Sequence, residues 1–183
     1  MKVISGYILT GILGWKIKDE FPDVKKSIVI FAPHTSYYDG LFGKLYLMYA
    51  GINYKFLSKK ELFKFPIKYF FMAFGSIPVY KNKKFINHVV ELFNDSKELH
   101  IVLSPEGHMA KTTHWKKGFY YMATKANVPI VVGYIDYKNK EVGIKGVIGD
   151  TSDMKETMKE INNMYKDVNA KYPEDFILDK RFS

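Results

Sequence analysis

An α/β fold, built as a single-domain mixed, largely parallel β-sheet flanked by helices, is what the sequence predicts, and two patterns carry that expectation. Short apolar runs rich in β-branched and aromatic residues alternate with longer amphipathic segments, as they do where strands pair in parallel through helical crossovers. The chain has 183 residues, enough for one compact core and too few for two full ones. No internal repeat, low-complexity tract or Pro/Gly/Ser linker divides it, so residues 1–183 are read as one domain.

The first segment, Val3 to Trp15, is apolar but interrupted by Ser5, Thr10 and three glycines. It is shorter than the roughly 20 apolar residues a helix needs to cross a bilayer, and it lacks a small-residue cleavage site. Residues 1–15 fit either an interfacial, membrane-associating segment or a first element packed on the core. Ser27 to Ala32 (SIVIFA) reads as a buried strand, and Tyr38 to Tyr49 as the helix after it. Further strands are expected at Tyr54–Leu57, Ser76–Tyr80, His100–Leu103 and Pro129–Ile135. Helices are expected at Pro66–Phe74, from Phe85 through Leu92 and onward, at Lys116–Lys125, and as a charged C-terminal helix over Asp153–Lys171.

The hydrophobic share of 47% and the charged share of 26% are those of a globular protein, which argues against disorder and against a multi-span membrane protein. A net charge of +9 attracts polyanions, but Arg181 is the only arginine, and readers of nucleic-acid sequence lean on bidentate arginine. Charge alone does not choose between nucleic acid and an anionic membrane surface; the scarcity of arginine counts against a specific nucleic acid, and an anionic membrane surface is the expected partner. The 14 tyrosines and 14 phenylalanines suit such an interface. Lysines and aromatics interleave from Lys59 to Phe74, a pattern that fits a leaflet surface or a core helix with a solvated edge. The absence of cysteine excludes disulfides, thiolate metal sites and a cysteine nucleophile, and is consistent with a reducing cytoplasm.

Chemistry in parallel sheets gathers at the carboxyl ends of strands. Two apolar strands run into polar segments there: SIVIFA into Pro33-His34-Thr35-Ser36-Tyr37-Tyr38-Asp39, and HIVL into Ser104-Pro105-Glu106-Gly107-His108. An imidazole is suited to take a proton from a hydroxyl near neutral pH, provided a partner on its other ring nitrogen fixes the tautomer. A strand-to-helix turn can fold Asp39 back onto His34 to do this. The plainer alternatives are a structural histidine and an Asp39 that caps a helix beginning near Gly40. His88, His100, His108 and His114 show no spacing of zinc-site type, so no metal is expected.

The chain resembles the glycerolipid acyltransferase family in four blocks that occur in the family order. They are His34-Thr35-Ser36-Tyr37-Tyr38-Asp39 (His-x4-Asp), Gly75-Ser76-Ile77-Pro78-Val79-Tyr80-Lys81, Pro105-Glu106-Gly107 and Val128-Pro129-Ile130-Val131. The segment Trp115-Lys116-Lys117-Gly118-Phe119 is similar to one in short bacterial members. The resemblance implies a glycerol-3-phosphate acyltransferase-like fold on the cytoplasmic side of the cell membrane, peripheral or monotopic. It also implies direct transfer of a fatty acyl group from acyl-CoA or acyl carrier protein to a lysophospholipid-type acceptor, lysophosphatidic acid foremost. His34 would be the general base and Asp39 its orienting carboxylate, with no covalent intermediate, cofactor or metal.

Lys81, Glu106 and Gly107 match the family's acceptor-binding positions, and Lys111, Lys116 and Lys117 are candidates for further phosphate contacts. The chain departs from the family pattern in carrying Lys81 for an arginine, His108-Met109 for Thr-Arg and Val132 for a proline. Two other functions fit the same residues: a thioester hydrolase in which the His-Asp pair activates water, and a non-enzymatic basic protein that binds anionic lipid or nucleic acid.

Overall fold

The computed structural model describes residues 2–80 and 83–182. In chain order the elements are α1 (Lys2–Tyr7), extended by a π-helical turn over Ile8–Ile12, β1 (Lys16–Lys18), β2 (Lys26–Ala32), α2 (Tyr37–Ala50) and β3 (Tyr54–Lys59). Then follow α3 (Lys68–Ala73), β4 (Ser76–Val79), α4 (Lys83–Asp95), β5 (Leu99–Leu103) and α5 (Gly118–Ala126). β6 (Ile130–Asp136), β7 (Glu141–Ile148) and α6 (Met154–Tyr165) complete the order. Among the described residues the strands form one sheet in the order β1-β7-β6-β2-β5-β3-β4. All neighbours are parallel except the β6–β7 hairpin.

β2 lies at the centre, with Ile28 opposite Ile101 of β5 and Ile130 of β6. Its side chains alternate between two cores. Ile28, Ile30 and Ala32 pack with Val89 and Phe93 of α4, Phe119 of α5, and Ile161 and Tyr165 of α6. Val29 and Phe31 pack on the other face with Leu9, Trp15, and Phe42, Leu45 and Tyr46 of α2. A strand covered on both faces has no polar side, which is why SIVIFA reads as a continuous apolar run.

The expected strands and most expected helices are present, with small shifts of their ends. The sequence reading contained neither β1 nor β7. At Gly143 a Cβ would lie 1.9 Å from the Lys18 carbonyl oxygen, so β1 can pair with β7 only because that position is glycine. The C-terminal helix ends at Tyr165, short of the expected Lys171. Asn169 is drawn off the helical path by Asp136, whose Oδ2 accepts from the Asn169 side-chain amide at 3.0 Å, while Tyr137 N donates to Asn169 O at 2.9 Å.

The first segment packs on the core through some residues and leaves others outward. Leu9 and Trp15 enter the core, whereas Val3, Ile4, Tyr7 and Ile12 face outward, Val3 with 83% exposure. No described helix is long and apolar enough to cross a membrane.

At the opposite end of the strands from His34, His100 opens β5 fully buried, its Nδ1 sharing a 2.8 Å hydrogen bond with the Ser27 hydroxyl. Burial pushes this imidazole down to about 4, against a weaker opposing pull from Glu98. A histidine held neutral in the fold contributes stability that is complete above its usual value of 6.5 and is lost as pH falls towards 4. We predict that the thermal midpoint drops over that window by an amount worth about 3 kcal/mol. Melts of a His100→Gln variant should lack this component.

Candidate active site

The turn that joins β2 to α2 is built by reciprocal capping. Ser36, in extended conformation, is the N-cap, and its Oγ accepts from Tyr38 N at 3.3 Å. Asp39, in the first turn of α2, returns the favour: its Oδ2 accepts from Ser36 N at 2.7 Å and from Thr35 N at 2.8 Å. The helix therefore starts at Tyr37, one residue ahead of the expected Tyr38, and Asp39 lies inside it rather than capping a helix that begins near Gly40. A buried carboxylate at a helix N-terminus is favoured by the helix dipole as well as by these amides.

The same Oδ2 lies 3.4 Å from His34 Nδ1. Capping and contact with His34, posed as alternatives by the sequence, are thus performed by one carboxylate. His34 keeps 29% of its side chain exposed, with Nδ1 facing Asp39. The remaining Asp39 oxygen, Oδ1, accepts from the Tyr137 hydroxyl at 2.6 Å.

Glu106 closes the site from the neighbouring strand. It is buried, its Oε1 accepts from His34 N at 3.0 Å, and its Oε2 accepts from Ser104 Oγ at 2.7 Å. It ties the exit of β5 to the exit of β2. Burial pushes its carboxyl above the usual range, and the His34 and Ser104 donors partly oppose this.

Gly107 follows with φ of +74°, and its N–H donates to Ser104 O at 3.2 Å. A Cβ there would lie 2.8 Å from Lys116 Cγ, so the Lys116 stem covers this turn. Lys116 N also donates to Pro105 O at 2.7 Å. Lys117 is turned elsewhere, its Nζ 5.3 Å from the Phe182 ring centroid, and Lys111 is exposed on the intervening loop. Lys81 lies outside the described residues.

The structure thus gathers His34, Asp39, Glu106, Gly107 and Lys116 around the ends of β2 and β5. It adds Tyr137, Ser104 and Thr35, none of which the sequence singled out. Tyr137 directly follows β6, the strand beside β2, and the carboxyl-end rule was the one signal pointing there. No group of metal-ligating side chains occurs among the described residues.

A family model described as Acyltransferase matches residues 15–135. The crystal structure of the 1-acyl-sn-glycerophosphate (LPA) acyltransferase PlsC from Thermotoga maritima shares the fold, with a TM-score of 0.64 at 17% sequence identity. The match covers 90% of this chain and 75% of that one. No curated protein matches the chain.

The Glu106 clamp predicts a graded response to substitution. Glu106→Ala strands the His34 N–H and the Ser104 hydroxyl and should lower the unfolding free energy by about 1–3 kcal/mol in denaturant titrations. Glu106→Gln keeps an acceptor for His34 N and should cost less. A carboxyl raised by burial contributes stability that is complete below its usual 4.5 and is lost as pH rises through its folded-state value. The stability of the native protein relative to Glu106→Gln should therefore decline as pH is raised from 4.

Proposed function

The chain belongs to the acyltransferase family, and from that premise we propose that it moves a fatty acyl group from acyl-CoA or acyl carrier protein to the hydroxyl of a lysophospholipid-type acceptor, lysophosphatidic acid foremost. The observation that carries the mechanism is the His34–Asp39 contact, with Nδ1 against a carboxylate held by backbone amides and the imidazole partly exposed. Asp39 holds the proton on Nδ1, so Nε2 presents a lone pair to the acceptor hydroxyl. The acceptor oxygen loses its proton to Nε2 and attacks the thioester carbonyl carbon. The tetrahedral intermediate then expels the thiolate, which recovers that proton from the imidazolium. No bond to the enzyme is formed. Lys116, against the Gly107 turn, is the cation we assign to the acceptor phosphate, with Lys81, Lys111 and Lys117 kept as further candidates.

We place the reaction at an anionic membrane surface, on its cytoplasmic side. Phe65, Ile67, Tyr69, Phe70 and Met72 are exposed around α3, among Lys59, Lys60, Lys64 and Lys68. α1, with its outward Val3, Ile4 and Tyr7, packs on α2, and Lys44 of α2 reaches α3 by donating to Phe74 O at 2.8 Å. Both apolar surfaces therefore adjoin the helix that carries Asp39. Rings in the headgroup layer and lysines on anionic lipid would hold the protein where its acceptor resides.

Thiol release from palmitoyl-CoA in phosphatidylglycerol-containing vesicles, with and without lysophosphatidic acid, tests the activity. We expect acceptor-dependent release, reduced by about a hundredfold or more in His34→Ala. Release that ignores the acceptor would identify a hydrolase, and none across a panel of donors and acceptors would favour a lipid-binding protein. In flotation assays the double substitution Phe65→Ser/Phe70→Ser should weaken vesicle binding by about tenfold or more. Binding should also fall with added salt; salt-independent binding unaffected by the substitutions would remove α3 from the interface.

A further inference from the structure

The two oxygens of Asp39 are used unequally. Oδ2 takes both backbone amides, from Thr35 and Ser36, and also faces His34 Nδ1. Among the described residues Oδ1 has one hydrogen-bond partner, the Tyr137 hydroxyl at 2.6 Å. Donors that converge on one oxygen leave the carboxylate free to pivot about it, because the terminal torsion of an aspartate is broad. A fixed donor on the other oxygen removes that freedom.

Tyr137 is itself held from several sides. Its ring meets Trp15 edge-on at 5.1 Å and Phe42 at 5.9 Å between centroids. Its backbone N–H donates to Asn169 O at 2.9 Å. Burial and the adjacent Asp39 push the phenol far above its usual range, so it remains a donor throughout the working pH range. The stretch beyond α6 is tied to the same place. Lys171 Nζ lies 3.6 Å from the Tyr38 ring centroid and 6.0 Å from that of Tyr137, and Tyr172 N donates to Thr35 Oγ1 at 3.3 Å.

We propose that Tyr137 is a positioning residue for the reaction, fixing the plane of the Asp39 carboxylate so that His34 presents Nε2 to the acceptor hydroxyl. The proposal rests on His34 acting as the base. It makes the working unit a chain of three side chains, Tyr137 to Asp39 to His34, with Tyr137 acting through Asp39 and touching no substrate.

Tyr137→Phe keeps the ring against Trp15 and Phe42 and removes only the hydroxyl. We expect kcat to fall about tenfold while KM for the acceptor stays within about twofold, because the hydroxyl serves the proton-transfer geometry and not binding. In an Asp39→Asn background the same substitution should change kcat by less than about twofold, since the carboxylate it positions is gone. Equal losses in both backgrounds, or an unchanged kcat, would overturn the proposal.

A second readout does not depend on turnover. With ¹⁵N-labelled histidine, the ring nitrogens of neutral His34 should report protonation at Nδ1 in the native protein and a mixture of both tautomers in Tyr137→Phe. An identical tautomer in the two proteins would overturn the proposal by itself. Should the native protein transfer no acyl group at all, the reading of its function fails, while the ring-nitrogen spectra still decide whether Tyr137 governs His34.

Discussion

A carboxylate taken out of water has to be supplied with donors, and at Asp39 that requirement organises the whole end of the molecule. The amides of Thr35 and Ser36 can reach it only if the chain turns sharply after β2 and enters a helix at once. That turn sets His34 beside the carboxylate, and the tie from Glu106 to the His34 amide fixes the turn against the next strand. The arrangement that supplies the buried charge is also the one that holds the partly exposed His34 ring against it. Stability and chemistry share the same hydrogen bonds here, so the site cannot be loosened without loosening the junction of β2, β5 and α2.

What the sequence disclosed follows from the distances involved. His34 and Asp39 lie in one short turn, and a motif five positions long is legible in any chain that carries it. The central strands were legible because burial on both faces leaves them continuously apolar. β7 was hidden because Gly143 and Gly146, with Lys145 between them, break that pattern, and the reason for Gly143 lies in β1, far away in sequence. Tyr137 reaches Asp39 from 98 positions downstream. Nothing local distinguishes it from the other tyrosines of an aromatic-rich chain. Glu106 shows the converse limit: its position was marked by a motif, yet only the fold reveals that it grips the backbone of His34.

The basic, aromatic character of the chain also becomes local in the fold. Lysines and exposed rings concentrate around α3, and a second apolar surface lies on α1, both next to α2. Other aromatic residues are internal, among them Trp115, with its indole N–H donating to Ile177 O and its carbonyl accepting from Arg181. The lone arginine, paired with Asp179 at 2.6 Å, thus fastens the C-terminal stretch and contributes little to an open basic surface.

The segment that runs back over the turn between β2 and α2 bears on how the protein comes into being. Tyr172 is 137 positions downstream of Thr35, whose hydroxyl it meets, and Tyr165, which donates to Ile30 O, is 135 positions downstream of that residue. While a ribosome is still making the chain, β2 and α2 emerge long before these partners exist. Contacts so distant in sequence form late in folding. The nascent protein therefore passes through a stage in which His34 is synthesised but Tyr165 and Tyr172 are not, and the turn is braced only once they dock.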